Sequence, residues 1–92
     1  MFDIAVRLYP DNPVANLNAA NTALSRKDLP AARRYLAKAG DMPQAVYARG
    51  ICALLEKNYP EAETLLKQAQ SAGITEADTA LEELQLLREE DD

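Results

Sequence analysis

An internal repeat with a period of thirty residues constrains the fold of this 92-residue chain more than any other feature of its sequence. Residues 32–39 and 62–69 each carry an alanine, a leucine and a second alanine, spaced so that all three lie on one face of a helix. The turns repeat as well, because Pro30 at the start of one predicted helix recurs as Pro60. A period that preserves both the apolar pattern and the helix-start proline indicates a stack of helical hairpins.

The repeat resembles the tetratricopeptide repeat (TPR), a helix–turn–helix unit of about 34 residues. In that family a small residue on the first helix meets an alanine, a bulky residue and a second alanine on the second helix. The matching residues are Ala20, Ala32, Leu36 and Ala39 in one repeat, and Gly50, Ala62, Leu66 and Ala69 in the next. The resemblance implies an all-α fold in which TPR-like helical hairpins form a right-handed α-α superhelix.

The chain differs from the TPR pattern in two respects. The large aromatic residues of the first helix are absent, and Arg49 stands at a position that is usually apolar. The period is also about four residues shorter than the TPR unit, which is close to one helical turn. A shortened second helix ending at Gly40 would keep the apolar face in phase, so we expect a changed local twist and an unchanged fold.

We expect a single domain over residues 1–92, with two complete repeats between an incomplete repeat and a cap. Residues 1–10 are expected to be the truncated end of a preceding repeat, residues 13–40 and 43–73 the complete repeats, and residues 75–90 a C-terminal capping helix. A stack of repeats needs a terminal helix with one polar face, and the last segment has an apolar stripe beside acidic residues. The chain is expected to be a piece of a longer protein.

Polar residues before the prolines predict how several helices begin. The residues expected to act as caps are Asp11 or Asn12, Asp28, Asp41 and Asn58. Residues 41–44 have the form of a capping box, and residues 58–61 have a looser version of it. At the other end of a helix, Gly40 is expected to adopt the left-handed conformation of a C-cap.

The residue content excludes several kinds of chemistry. With no histidine and a single cysteine, Cys52, the chain lacks the ligand sets of zinc sites, Ser/His triads and Cys/His dyads. Acidic pairs at 82–83 and 89–90 lie on a predicted exposed helix, where no cavity would shift their pKa for acid–base catalysis. We therefore expect no enzymatic activity, no cofactor and no metal, and Cys52 is expected to be a small core or groove residue.

Charge is distributed unevenly along the chain, whose net charge is −5. Residues 1–70 carry a net charge of +2, and residues 71–92 carry a net charge of −7. An acidic chain repels phosphate backbones, so no nucleic-acid partner is expected. No apolar run approaches the roughly 18 residues of a membrane-spanning helix, so no membrane insertion is expected.

The TPR resemblance implies a concave groove in which the first helices of successive repeats lie side by side and bind a peptide or helix. The residues expected to line it are Leu17, Asn21, Gln44, Tyr47, Ile51 and Leu55, with Val14 and Ser25 beside them and Ile74 and Asp78 further along the chain. Tyr47 is the principal candidate, because a rigid aromatic side chain with a polar tip is frequent at binding hot spots. The alternative for Leu17, Ile51 and Leu55 is packing between helices.

Two polar clusters have other interpretations. Asn21 matches an asparagine with which some TPR proteins bind peptides, but the basic partners of their carboxylate clamp are absent, so binding of acidic C-termini is not expected. The asparagines at 12, 16 and 18 are expected to be caps or solvated residues. Arg33, Arg34 and Lys38 form a basic patch that is expected to be a solvated face or to contact an acidic tail.

The sequence favours a non-enzymatic protein–protein interaction module that holds a protein or peptide partner in this groove. The alternative is a structural spacer or oligomerisation segment of a larger protein, and the isolated fragment would then form a weak homodimer through residues 1–9. Residues 35–41 and 45–50 also look like TPR segments of bacterial cell-envelope proteins, which favours the envelope over the cytoplasm as the location.

Overall fold

The computed structural model describes residues 12–91, which form five α-helices and contain no strand. The helices are α1 (Pro13–Ser25), α2 (Leu29–Ala39), α3 (Pro43–Leu55), α4 (Tyr59–Ser71) and α5 (Glu76–Asp91). The predicted all-α class is therefore confirmed. The expected end of a preceding repeat, residues 1–10, lies outside the described residues.

The helices pack in chain order, and a second set of contacts links alternate helices. The most extensive contacts join α1 to α2 and α3 to α4, so each pair forms a hairpin. The helix α5 packs against α4, and α2 contacts α3. In addition α1 contacts α3, and α3 contacts α5, so these three helices lie next to one another in a row.

The residues that define the repeat form the contact between the two helices of each hairpin. Ala20, Ala32, Leu36 and Ala39 in the first hairpin, and Ala62, Leu66 and Ala69 in the second, are each at most 2% exposed. Their burial on facing helices explains why small residues are needed at these positions. An alanine or glycine lets two helix backbones approach, and the leucine fills the space between them.

Gly50 on α3 makes the closest fit of this kind, against Leu66 on α4. A Cβ atom added at Gly50 would lie 2.8 Å from both Cγ and Cδ2 of Leu66, and 3.3 Å from its backbone nitrogen. Carbon atoms in contact are normally about 3.5–4.0 Å apart, so a larger residue would require Leu66 to move. The first hairpin has Ala20 at the same place, with no exposed surface.

Both hairpins turn through a lysine in the left-handed conformation. The φ angles of Lys27 and Lys57 are 58° and 62°. Between α1 and α2 the N–H of Asp28 donates to the carbonyl of Ala23 over 2.8 Å. Between α3 and α4 the N–H of Asn58 donates to the carbonyl of Ala53 over 2.9 Å. These bonds satisfy carbonyls at the helix ends, so the turn is one repeated structure that the sequence analysis did not predict.

Two of the predicted N-caps are confirmed. The N–H of Ala15 donates to Oδ1 of Asn12 over 3.0 Å, so Asn12 caps α1. The N–H of Ala31 donates to Oδ1 of Asp28 over 3.3 Å, so Asp28 caps α2. Each side chain therefore satisfies one of the free N–H groups in the first turn of its helix.

The prediction that Asp41 caps α3 is wrong. The helix begins at Pro43, so the N-cap position falls on Met42, which makes no side-chain capping bond. Asp41 lies one residue too early, and its carboxylate instead accepts a long hydrogen bond of 3.4 Å from Arg49. The Nη2 atom of Arg49 donates to the carbonyl of Leu36 in the last turn of α2 over 2.8 Å. This bond gives a physical reason for a charged residue at a position where TPR units are apolar.

The predicted cap at Asn58 has the right position and the wrong bond. Asn58 is the N-cap residue of α4, but its side chain does not cap the helix and donates to Oε2 of Glu61 over 2.6 Å. A capping box needs the N–H of the cap residue to be free for the glutamate. Here that N–H is already bonded to the carbonyl of Ala53 in the preceding turn.

Asn16 also differs from its prediction as a cap or solvated residue. The residue is completely buried on α1. Its Nδ2 donates to the carbonyl of Asn12 over 2.9 Å, and its backbone N–H donates to the same carbonyl over 3.0 Å. A buried amide with this partner holds the first turn of α1, since the bond joins residues one turn apart.

The glycine between the hairpins ends α2 in an unusual conformation. Gly40 has the predicted positive φ of 80°, but its ψ of −151° differs from the left-handed helical value. This region is open almost only to glycine. As expected, the helix before it is short, with 11 residues in α2 against 13 in α4.

Ion pairs link α2 to the end of α3 and α4 to α5. The basic residue lies on the earlier helix in the first pair and on the later helix in the second pair. Arg33 on α2 donates through Nε to Oε1 of Glu56, at the end of α3, over 2.8 Å. Glu63 on α4 accepts from Arg88 on α5. The hydrogen bond from Arg33 lowers the pKa of the Glu56 carboxyl below its usual value. All four side chains are well exposed to solvent, so these pairs orient the helices more than they stabilise them.

Replacing Gly50 by alanine is expected to destabilise the protein by up to about 2 kcal/mol. Overpacking against Leu66 should outweigh the gain in helix propensity of about 1 kcal/mol. Urea denaturation of Gly50→Ala and wild type measures the change. The control is Gly50→Ala in a Leu66→Ala background. Wild type, the two single variants and the double variant are all measured with the same stabilising osmolyte. The loss should disappear in the Leu66→Ala background, and an equal loss in both backgrounds would contradict the steric explanation.

Replacing Lys57 by glycine is expected to stabilise the protein by about 0.5–1 kcal/mol, because a side chain in the left-handed conformation costs about 1–2 kcal/mol. Part of that gain is lost to the greater freedom of glycine in the unfolded chain. Thermal unfolding should show a rise in Tm of several degrees. The matched control Lys57→Ala removes the same charge and keeps Cβ, so a similar rise in Tm for the alanine variant would refute the backbone explanation.

Candidate functional site

An outward-facing stripe on α3 carries four of the predicted groove residues. Gln44, Tyr47, Ile51 and Leu55 are spaced by three or four positions and so lie on one face of the helix. Gln44 is exposed, Tyr47 and Ile51 are half-buried, and Leu55 is 43% exposed. The middle of the stripe is therefore partly covered, and its ends are open to solvent.

The cover over the middle of the stripe comes from α5. Tyr47 and Ile51 of α3 line a surface groove of about 280 Å³ whose opposite side is formed by α5. The residues of α5 that line it are Glu76, Thr79, Ala80 and Glu83. An aromatic ring, three small or apolar side chains and two carboxylates thus surround one groove, which we call the α3–α5 groove.

The α3–α5 groove has a negative electrostatic character. Burial, together with the carboxylates of Glu76 and Glu83, raises the pKa of the Tyr47 hydroxyl above its ordinary value of 10.0. The tyrosine is therefore neutral at physiological pH and can donate a hydrogen bond. Within residues 12–90, neither Glu76 nor Glu83 forms an ion pair with a lysine or arginine.

The predicted groove residues of α1 divide between the core and the surface. Leu17 is 9% exposed and packs in a cluster with Ala20, Leu36, Ala39, Ala45 and Ala48. The alternative of packing between helices therefore describes Leu17. Asn21 is exposed, and its backbone carbonyl accepts from the hydroxyl of Ser25 over 3.1 Å. Neither Leu17 nor Asn21 lines the α3–α5 groove.

Ile74 and Asp78 do not line the α3–α5 groove, and the reason is a change of period. The buried alanines Ala45 and Ala48 of α3 correspond to Ala77 and Ala80 of α5, which lie thirty-two residues later. The thirty-residue period led to the wrong positions, because α4 is two residues longer than α2. Asp78 instead accepts a hydrogen bond from Gln70 of α4.

The thirty-two-residue offset also identifies the groove residues that the sequence analysis missed. It carries Gln44 to Glu76, Tyr47 to Thr79 and Ile51 to Glu83, and the three α5 residues all line the groove. The signal was present in the sequence as the paired alanines of α3 and α5. Glu83 was expected only to be an exposed acidic residue of the last helix, and it is exposed and also lines the groove.

A larger cavity of about 410 Å³ lies on the other side of α5, between α4 and α5. Its rim carries Glu63, Lys67 and Arg88, and Glu63 accepts from Nζ of Lys67 over 3.2 Å as well as from Arg88. These hydrogen bonds lower the pKa of the Glu63 carboxyl below its usual value. Glu63, Lys67 and Arg88 are thus paired with one another, whereas Glu76 and Glu83 of the α3–α5 groove have no basic partner within residues 12–90.

Arg33 of the predicted basic patch lies near Cys52 at a third cavity, between α2 and α3, which Arg34 and Lys38 do not line. Arg33, Arg49 and Cys52 line it, and both arginines already donate hydrogen bonds to protein acceptors. Cys52 is fully buried, and burial raises the pKa of its thiol, so the reactive thiolate is disfavoured. Cys52 is therefore a core residue, one of the two roles expected for it.

A scan of the sequence against models of protein families finds no significant match, and searches of curated proteins and of solved structures find none either. None of the helices within residues 12–91 is long and apolar enough to cross a membrane. In the same part of the chain, no three acidic or cysteine side chains lie close enough together to hold a metal ion.

Proposed function

We propose that this chain is a TPR-like stack of helical hairpins that acts as a non-enzymatic protein-interaction module. Its binding surface is the face of the row α1, α3 and α5, and the α3–α5 groove is the centre of that surface. The observation that carries the proposal is the half-buried Tyr47 beside Ile51 in a groove open to solvent.

The repeat geometry supports the TPR-like part of the proposal. The two hairpins share buried contact residues and the same left-handed turn at Lys27 and Lys57, and α1 contacts α3 as α3 contacts α5. In a solenoid, equivalent helices of successive repeats lie side by side and form a continuous surface. A right-handed superhelical arrangement would make that surface concave.

The side chains of the α3–α5 groove support binding rather than catalysis. Tyrosine and isoleucine provide a rigid apolar contact, and the tyrosine hydroxyl offers a hydrogen-bond donor. The carboxylates are exposed to solvent, whereas catalytic carboxylates need an enclosed pocket that removes them from water. A groove of this size accommodates one or two side chains of a partner segment.

Truncation of Tyr47 is expected to weaken binding of a partner peptide by about tenfold or more, as at other aromatic hot spots. A selection of the full chain against a displayed library of random peptides supplies the ligand. Calorimetric titration of the best peptide then compares wild type with Tyr47→Ala. The matched control Arg34→Ala changes an exposed residue of α2 and should leave the affinity unchanged. Circular dichroism establishes that both variants are folded.

An unchanged affinity in folded Tyr47→Ala, for every peptide selected, would contradict the assignment of the groove as the binding surface. Equal weakening by Arg34→Ala would point to a general loss of structure instead of a local contact.

The alternative of an oligomerisation segment is favoured by one specific observation. Val14 on α1 is 59% exposed and Leu86 on α5 is 62% exposed, so both outer helices of the row present large apolar side chains to solvent. Such residues could pack against the same chain or against further repeats. The homodimer contact expected through residues 1–9 lies outside the described residues.

If assembly is the function, light scattering should show a mass above that of the 10.1 kDa monomer as concentration rises. Leu86→Glu should then return the mass to the monomer value, whereas Glu82→Gln on an exposed position of the same helix should not. A mass that stays at the monomer value throughout would count against the alternative.

A further inference from the structure

The two carboxylates of the α3–α5 groove are placed along one line. Glu76 and Glu83 are seven residues apart on α5, which corresponds to about 10.5 Å along the helix axis. Two turns of helix bring them back to the same face, and Thr79 and Ala80 lie between them on that face. The groove therefore has an acidic group toward each end and small side chains in the middle.

These carboxylates are not neutralised by cations of the described chain. The hydroxyl of Thr75 donates to Glu76 over 2.9 Å, which is a neutral contact. The basic residues that form ion pairs within residues 12–90 are Arg33, Arg49, Lys67 and Arg88, and their partners are other carboxylates. The cavity between α4 and α5 shows the contrast, since Glu63 at its rim is paired with two basic residues, Lys67 and Arg88.

The floor of the groove suits the aliphatic part of a basic side chain. Lysine and arginine place a hydrocarbon stem on apolar surface while their charged ends stay at the rim. Ile51 and Ala80 provide such a surface, and the half-buried ring of Tyr47 offers a face on which a cation can lie. A neutral or acidic segment would leave the two glutamates without partners and gain only the apolar contact.

We propose that the α3–α5 groove binds an extended segment of a partner protein that presents two lysine or arginine side chains, three residues apart, to Glu76 and Glu83. This proposal rests on the proposed function and adds the chemistry of the partner. In a polyproline-type segment, residues three apart point to the same side and are separated by about 9 Å, which is close to the spacing of the two carboxylates. The residues between them would face solvent or the apolar floor.

The charge of the groove predicts how the interaction depends on solvent. Attraction between exposed charges is screened over about 10 Å at 0.1 M ionic strength, so affinity should fall as salt is added. The same attraction should act mainly on the rate of association, because rim charges steer the encounter of two partners. The contact of the aromatic ring should be nearly independent of salt.

The test is a selection of the full chain against a displayed library of random peptides, in three forms of the protein. Wild type should enrich peptides with two basic residues three positions apart. Glu76→Gln/Glu83→Gln should lose this enrichment and bind the best wild-type peptide at least tenfold more weakly at low salt. The matched control Glu82→Gln/Glu89→Gln removes the same charge from other exposed positions of α5 and should retain both.

Because Glu76 lies in the first turn of α5, where a negative charge favours the helix, thermal unfolding by circular dichroism accompanies each variant. Equal loss of enrichment in both double variants would overturn the proposal, since only overall charge would then matter. Selected peptides that lack basic residues but still depend on Tyr47 would overturn it and leave the proposed function standing. Failure to enrich any peptide would overturn both.

Discussion

The contact between Gly50 and Leu66 is the constraint on which the rest of the arrangement depends. The backbone of Gly50 lies so close to the fully buried Leu66 that a side chain at position 50 would have to displace the leucine. The hydrophobic effect favours burial at this contact, and dense packing makes the distance specific. The position of α4 relative to α3 follows from it, and the position of α5 follows from α4.

A close approach within each hairpin also determines where a groove can exist. Because α2 packs closely against α1 and α4 against α3, the row α1, α3 and α5 has one face that α2 and α4 do not cover. Between α1 and α3 this row is filled by Leu17 and the alanines around it. Between α3 and α5 the equivalent place is an open groove, and Thr79 of α5 is the small residue that corresponds to Tyr47 of α3. The groove is thus a consequence of side-chain size along otherwise equivalent helices.

Much of this arrangement could be predicted from the sequence, and the failures have physical causes. The buried contact residues were predictable because burial acts on residue size and apolarity, which the repeat displays directly. The left-handed turns at Lys27 and Lys57 were not, because lysine gives no local sign that tertiary packing will impose a positive φ. The capping prediction at Asn58 failed because its side-chain amide donates to Glu61, whereas Asp28 in the equivalent turn accepts from the first turn of its helix.

The site could be predicted in part. The residues of the stripe on α3 were expected from the TPR resemblance, and two of them, Tyr47 and Ile51, line the α3–α5 groove. The acidic side of the groove was missed because it depends on the length of α4, which shifts the register of α5 by two residues. A pattern based on one period cannot show such a shift, whereas the matched alanines of α3 and α5 do.

The acidic and basic residues exchange positions between the two ion pairs, so the order of the helical units determines which charges face each other. Arg33 of α2 pairs with Glu56 at the end of α3, whereas Glu63 of α4 pairs with Arg88 at the equivalent place on α5. If the second hairpin were followed by a copy of itself, Glu63 would face Glu56, and if α5 followed the first hairpin directly, Arg33 would face Arg88. Either rearrangement would oppose like charges. The surface charges therefore favour the native order of the units over shuffled or slipped assemblies of this chain.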